Sequence, residues 1–274
     1  KNVMKKLIAS ISGVALLWAM SASATDITIN DGVFNNNNWY GNYENDEVEP
    51  GCYTGQKWDM EAFLLDDMDL QVKGGVDMVK GVYSIENNRR YYSGDIFIDV
   101  NNNAKWGPNA PKDITGDGYD QISNTELGWD YAIVFNRETA DVGGSKLVDN
   151  TYSVYQLAST FTYIEVYYDE NFEANPFRYI AGGSPVANVT DTKYEWTDGP
   201  LEYLMKGIDL SFLAGVGDAG EDDITFHYTY GCGNDLLIGK TKAFAPVPDG
   251  GLTLVLLGMG LGALGVTSRR MRKS

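Results

Sequence analysis

The sequence predicts an all-β protein: an antiparallel β-sandwich, jelly-roll-like, with an N-terminal signal helix before it and a single C-terminal transmembrane helix after it. Three observations lead there. Short segments rich in β-branched and aromatic residues recur along the middle of the chain, with turn residues between them. Composition agrees, because 31 glycines and 18 tyrosines in 274 residues favour many turns and strands over helical bundles. Long apolar runs free of acids stand at the two ends, Leu7 to Met20 and Leu252 to Val266.

The strands of the body are taken in order. "WDMEAFLL" (Trp58 to Leu65), "DIFIDV" (Asp95 to Val100) and "YAIVF" (Tyr131 to Phe135) come first. "TYSVYQL" (Thr151 to Leu157), "FTYIEVYY" (Phe161 to Tyr168) and "DITFHYTY" (Asp223 to Tyr230) continue the series. In the last, Ile224, Phe226, Tyr228 and Tyr230 share one face and Thr225, His227 and Thr229 the other, the alternation of a half-buried strand. "DLSFLAGVG" (Asp209 to Gly217) is the one place for a short helix, and no internal repeat argues for a propeller or solenoid. A chain of this length buries a sizeable core, and two packed antiparallel sheets are the expected way to build it.

The N-terminal end reads as an export signal. Lys5 and Lys6 precede the apolar run, and Ala22-Ser23-Ala24 places small residues where a signal peptidase needs them, so cleavage is expected after Ala24. The apolar run is short for an uncleaved anchor. The chain then divides into a signal peptide (1–24), a polar segment expected to be a loose edge (25–50), a sandwich domain (51–241), a linker with a motif (242–251) and a transmembrane helix with a basic tail (252–274). Export implies an oxidising compartment. The two cysteines, Cys52 and Cys232, flank the body, and one disulfide between them is the simplest arrangement; two buried thiols are the alternative.

Charge narrows the partners. Asp and Glu number 38 against 21 Lys and Arg, a formal −17, and every acid lies between Asp26 and Asp249. Such a body is repelled by phosphate backbones, which argues against nucleic acid. A solvated acidic surface, or cation binding, fits better.

Catalytic constellations are sparse, and no enzyme activity is expected. His227 is the sole histidine; on the threonine face of its strand it is expected to face solvent, and no Gly-x-Ser-x-Gly elbow accompanies it. One His and two Cys do not make a usual zinc site. Glu165 with Asp169, or Asp59 with Glu61, offer carboxylate pairs of the glycosidase kind, but pairs of this sort arise freely among 38 acids. A sharper pattern is "SGDIFIDVNNNAKWG", where Asp99, Asn101 and Asn103 alternate as oxygen ligands do at the start of calcium loops. "DITGDGYD" adds Asp113, Asp117 and Asp120 around two glycines. Calcium is therefore the candidate ion, with no other cofactor implied. Ala104 and Ala110 stand where an EF-hand needs Gly and Glu, and Asx-rich turns form equally well without an ion.

The tail combines Val247-Pro248-Asp249-Gly250-Gly251, an apolar span, and a basic cluster of Arg269, Arg270, Arg272 and Lys273. This order resembles the PEP-CTERM sorting signal of exosortase substrates, in its variant built on Val-Pro-Asp-Ser-Gly; the second proline of the Pro-Glu-Pro form is missing here. "SGDIFIDV", "LGWDYAIVF" and "TYGCGND" look like segments of exported β-rich proteins that carry such tails. The resemblance implies a protein of the cell surface or extracellular matrix, with an exosortase-like membrane enzyme, a signal peptidase, the membrane and an exopolysaccharide as partners. The physics agrees. Gly251 to Thr267 is just long enough to enter a bilayer, the basic cluster holds its far end in the cytoplasm, and Gly258 with Gly262 gives a face for close helix packing. A permanent anchor is the other use of such a tail. A calcium-dependent carbohydrate-binding module with Tyr and Trp platforms is the alternative function.

Overall fold

A computed structural model describes residues 24–30, 34–35, 38–39, 59–75, 82–84, 89–91, 93–106, 121–137, 147–158, 162–164, 175–198, 202–218, 220–231 and 235–246. The described strands, in chain order, begin with β1 (Thr25–Asp26), β2 (Thr28–Asn30), β3 (Phe34–Asn35), β4 (Asn38–Trp39), β5 (Met60–Asp66) and β6 (Asp69–Gly75). Next come β7 (Val82–Ser84), β8 (Arg89–Tyr91), β9 (Ile96–Asp99), β10 (Gln121–Ser123), β11 (Tyr131–Arg137), β12 (Leu147–Gln156) and β13 (Thr162–Ile164). The series closes with β14 (Arg178–Ala181), β15 (Ser184–Pro185), β16 (Thr192–Lys193), β17 (Glu195–Asp198), β18 (Glu202–Asp209), β19 (Asp223–Thr229) and β20 (Leu236–Lys242). All-β architecture follows from the sequence, and the structure shows it.

Two sheets carry the fold, and their pairings are antiparallel. The smaller has the order β1-β5-β6-β18-β17; the larger runs β15-β12-β11-β9-β19-β20-β2, with β16 beside β12. Phe63, Leu70, Val72, Met205 and Ile208 of the first sheet meet Ile98, Ile133, Val154, Phe226 and Tyr228 of the second in one buried cluster. Phe63 and Phe226 touch across it, ring centres 6.0 Å apart. Each such ring removes enough apolar surface from water to stabilise the fold by roughly 2–3 kcal/mol. Ile224, Phe226, Tyr228 and Tyr230 share this inner face, as their alternation requires.

The described parts of the six expected strand segments fall in β5, β9, β11, β12, β13 and β19, while Trp58, Phe161 and Glu165 to Tyr168 lie outside the described residues. Strands β6 and β18 carry Gly, Lys and Asp, and β20 carries Gly and Lys, so their local signals are weak; they form because their neighbours pair with them. "DLSFLAGVG" holds one 3-10 turn, Ser211–Leu213, and goes no further, because Gly215 and Gly217 take φ of 75° and 73°.

Two expectations are corrected. Thr25–Asn30 is not a loose edge, since β1 pairs with β5 and β2 with β20. His227 does not face solvent. It is 0% exposed, because the outer face of the larger sheet is covered by a second cluster of Phe97, Leu127, Trp129 and Ala132, and the His227 and Trp129 rings lie 5.5 Å apart. A third sheet, β10-β13-β14, accompanies this covering layer. Among the described residues no helix is long and apolar enough to cross a membrane. The expected signal peptide (1–24), apart from Ala24, and the expected transmembrane helix (252–274) lie outside those residues.

Candidate functional site

The loop leaving β9 is where the sequence points, and three of its expected ligands come together there. Asp99 ends the strand almost fully buried. Its Oδ1 accepts the Asn101 N–H at 3.0 Å and its Oδ2 the Ala104 N–H at 3.0 Å. Asn101 Oδ1 accepts the Asn103 N–H at 3.1 Å, and Asn102 takes φ of 58°, which Asn tolerates better than most residues. Alternating Asx side chains thus fold the loop by bonding its own backbone.

A fourth residue completes the arrangement, and the sequence reading missed it. Asp130 precedes β11, which pairs with β9, so the register sets its carboxylate beside Asp99. The Val100 N–H donates to Asp130 Oδ2 at 2.8 Å, and Asn101 Nδ2 reaches both Asp130 oxygens at 2.9 and 3.0 Å. Burial raises the Asp130 pKa to about 6, and the Asp99 carboxylate adds to the rise against the lowering bonds from Val100 and Asn101. The only signal in the sequence was an acid placed directly before an apolar strand, in "LGWDYAIVF".

The far wall of the loop is fixed by Asn124. Its Oδ1 accepts the Trp129 N–H at 3.0 Å and its Nδ2 donates to the Trp129 carbonyl at 2.8 Å, which holds Trp129 on the outer face of the sheet. Gly128 has φ of 81°, and a β-carbon there would collide with Asn103, so the two loop arms pack directly on each other. The site sets two carboxylates, Asp99 and Asp130, beside the amide side chains of Asn101 and Asn103. Among the described residues no group of three or more His, Cys, Asp or Glu is placed to bind a metal ion. Asp113, Asp117 and Asp120, the other expected ligands, lie outside the described residues.

The remaining candidates are placed as follows. Asp59 and Glu61 are 1% and 3% exposed, and Glu61 faces Lys73 at 3.5 Å. Glu165 and Asp169 lie outside the described residues, as do Cys52, Cys232 and the motif Val247 to Gly251. Ala24, the expected cleavage position, immediately precedes β1. On the outer face, Tyr155 and Tyr179 stack with ring centres 4.8 Å apart and planes 24° apart, both half-buried. An open hollow of about 300 Å³ at the β5–β6 turn is lined by Asp66, Asp67, Asp69 and Asp209 with Met68 and Gly207, which makes it repellent to anions. No protein family, curated protein or solved structure matches this chain.

Proposed function

We propose that this protein is an exported, non-enzymatic component of a bacterial cell surface or extracellular matrix, sorted by an exosortase-like enzyme through its C-terminal signal. In this reading the sandwich, jelly-roll-like in connectivity, is the cargo. The observation that carries the reading is the tail itself: a Pro-Asp-Gly-Gly motif, an apolar span and a basic cluster in fixed order. The described fold is in keeping with it, because the strand β1 begins at Thr25, directly after the expected cleavage position. A Cys52–Cys232 disulfide belongs to the same reading. Asp235 bonds the Met60 N–H through Oδ2, so chain segments following the two cysteines are already held together.

Mass spectrometry of the protein from its native host tests the proposal. The mature chain is expected to begin at Thr25 and to lack Leu252 to Ser274, with a cut within Val247 to Gly251. Recovery of the peptide ending in Ser274 from the surface fraction would show a permanent anchor instead.

The second reading is calcium-dependent carbohydrate binding. It is favoured by the Asp99–Asp130 pair with Asn101 and Asn103, and by the stacked Tyr155 and Tyr179 on the outer face. Glycan binding that a chelator abolishes would establish it; a featureless glycan array would leave the first reading alone.

A further inference from the structure

The first six residues after the expected cleavage position stitch the two sheets together. Thr25 and Asp26 pair with Leu65 and Leu64 of β5, in the smaller sheet. Thr28 and Asn30 pair with Gly239 and Ile238 of β20, in the larger one. Ile27 sits at the crossing: its N–H donates to the Phe63 carbonyl at 2.9 Å, its carbonyl accepts the Lys240 N–H at 2.8 Å, and its side chain is 9% exposed. The Thr28 hydroxyl accepts the Phe63 N–H at 2.9 Å. The fit is close, since a β-carbon on Gly239 would come within 2.8 Å of the Phe63 ring. Without this strap, β5 and β20 would each present an unpaired edge to the same slot.

A protease that removes a leader after Ala24 has to close around the peptide bond between Ala24 and Thr25. Thr25 and Asp26 are the residues paired with β5, so in the folded body that bond lies directly against the rim of the smaller sheet, where a protease has no room to close around it. Nor is there slack to share. Only Ser21 to Ala24 separate the apolar run ending at Met20 from Thr25, and four residues span at most about 13 Å. We propose that Thr25–Asn30 is a closing strap which seats between β5 and β20 only after the chain is cut behind Ala24. The exported body therefore passes through an open-edged state, and leader removal is the step that completes both sheets. This rests on the export reading given above.

The test compares processed protein with full-length precursor carrying Ala22→Tyr, which blocks cutting and leaves every residue of the body unchanged. Amide hydrogen exchange is read at Ile27, Phe63 and Lys240. Exchange at least ten-fold slower in the processed protein is expected; equal protection in the two forms overturns the proposal. A second measurement uses wild-type and Ile27→Asp precursors, purified in detergent and exposed to signal peptidase. A free strap gives equal cutting rates, whereas cutting ten-fold faster in the Ile27→Asp precursor means the strap was seated beforehand and overturns the idea. Sequencing the exported protein separates the two failures. A leader still present on the surface protein defeats the processing step of the export reading and the strap with it, while equal protection with Thr25 at the N-terminus defeats the strap alone.

Discussion

Asp130 shows how one carboxylate sets a local balance. Its pKa is raised from 3.8 to about 6 in the folded chain, so the folded state holds this proton more tightly than the unfolded state. Below about pH 4 both states are protonated and the pairing with Asp99 costs little. Between pH 4 and 6 the unfolded chain ionises first and stability falls; above pH 6 the loss is complete. Two pKa units correspond to about 3 kcal/mol for a fully buried group. Solvent screening at this half-buried carboxyl brings the effect to on the order of 1 kcal/mol. Asp130→Asn is therefore expected to raise the melting temperature at pH 7 in the presence of chelator and to flatten the pH 4–6 slope. A calcium ion bound at the loop would act in the same direction on the wild type, because a ligand held only by the folded state stabilises it. Melting wild type and variant with calcium and with chelator separates the cases. A calcium shift present in the wild type and lost in Asp130→Asn marks an ion site, and no shift in either reduces the loop to plain Asx turns.

Between elements, a buried polar tie joins the start of β9 to β11 and β14 through Asp95. This carboxylate is fully buried, lies 2.6 Å from Arg137 Nη1, and accepts the Phe135 N–H at 3.1 Å and the Tyr179 N–H at 2.9 Å. Arg137 Nη2 in turn donates to the Ser93 and Gly94 carbonyls at 3.0 and 2.7 Å. Ser93 also bonds the buried Tyr228 hydroxyl, whose pKa burial pushes well above the usual tyrosine range. Gly94 is needed here: a β-carbon would strike the Phe177 carbonyl oxygen at 2.5 Å, and this is backbone that cannot swing away. Removing one partner strands the other charge in the core. Arg137→Met is expected to cost roughly 3–5 kcal/mol in urea unfolding. Replacing Asp95 as well, with Leu, should recover part of that loss; a double variant no more stable than Arg137→Met would show that Asp95 acts through its backbone contacts alone.

At the scale of the molecule, both faces of the larger sheet are covered. Phe97, Trp129 and His227 bury the outer face while Ile98, Phe226 and Tyr228 bury the inner one. The molecule is closed by long-range pairing, and its early and late segments meet at β2–β20 and at Asp235 with Met60. A disulfide between Cys52 and Cys232 would reinforce the same closure. In the chain-entropy model a loop of that length is worth about 5 kcal/mol, less any strain. Protein from the exported fraction is expected to resist alkylation until reduced, and to lose several kcal/mol of stability on reduction. Two freely alkylated cysteines in that fraction would remove the disulfide from the account.

The sequence by itself determined the all-β class, the six main strand segments, the inner face of Ile224, Phe226, Tyr228 and Tyr230, and the Asx pattern of Asp99, Asn101 and Asn103. These are local properties: a period of two and an i, i+2 spacing are visible within a few residues. Tertiary structure alone decided that Asp130 stands beside Asp99, that Arg137 neutralises Asp95, that His227 is buried, and that Thr25–Asn30 bridges two sheets. Each of these depends on which strands become neighbours and in what register. That choice is made by the sum of many weak contacts between residues far apart in the chain, and no short window of sequence contains it.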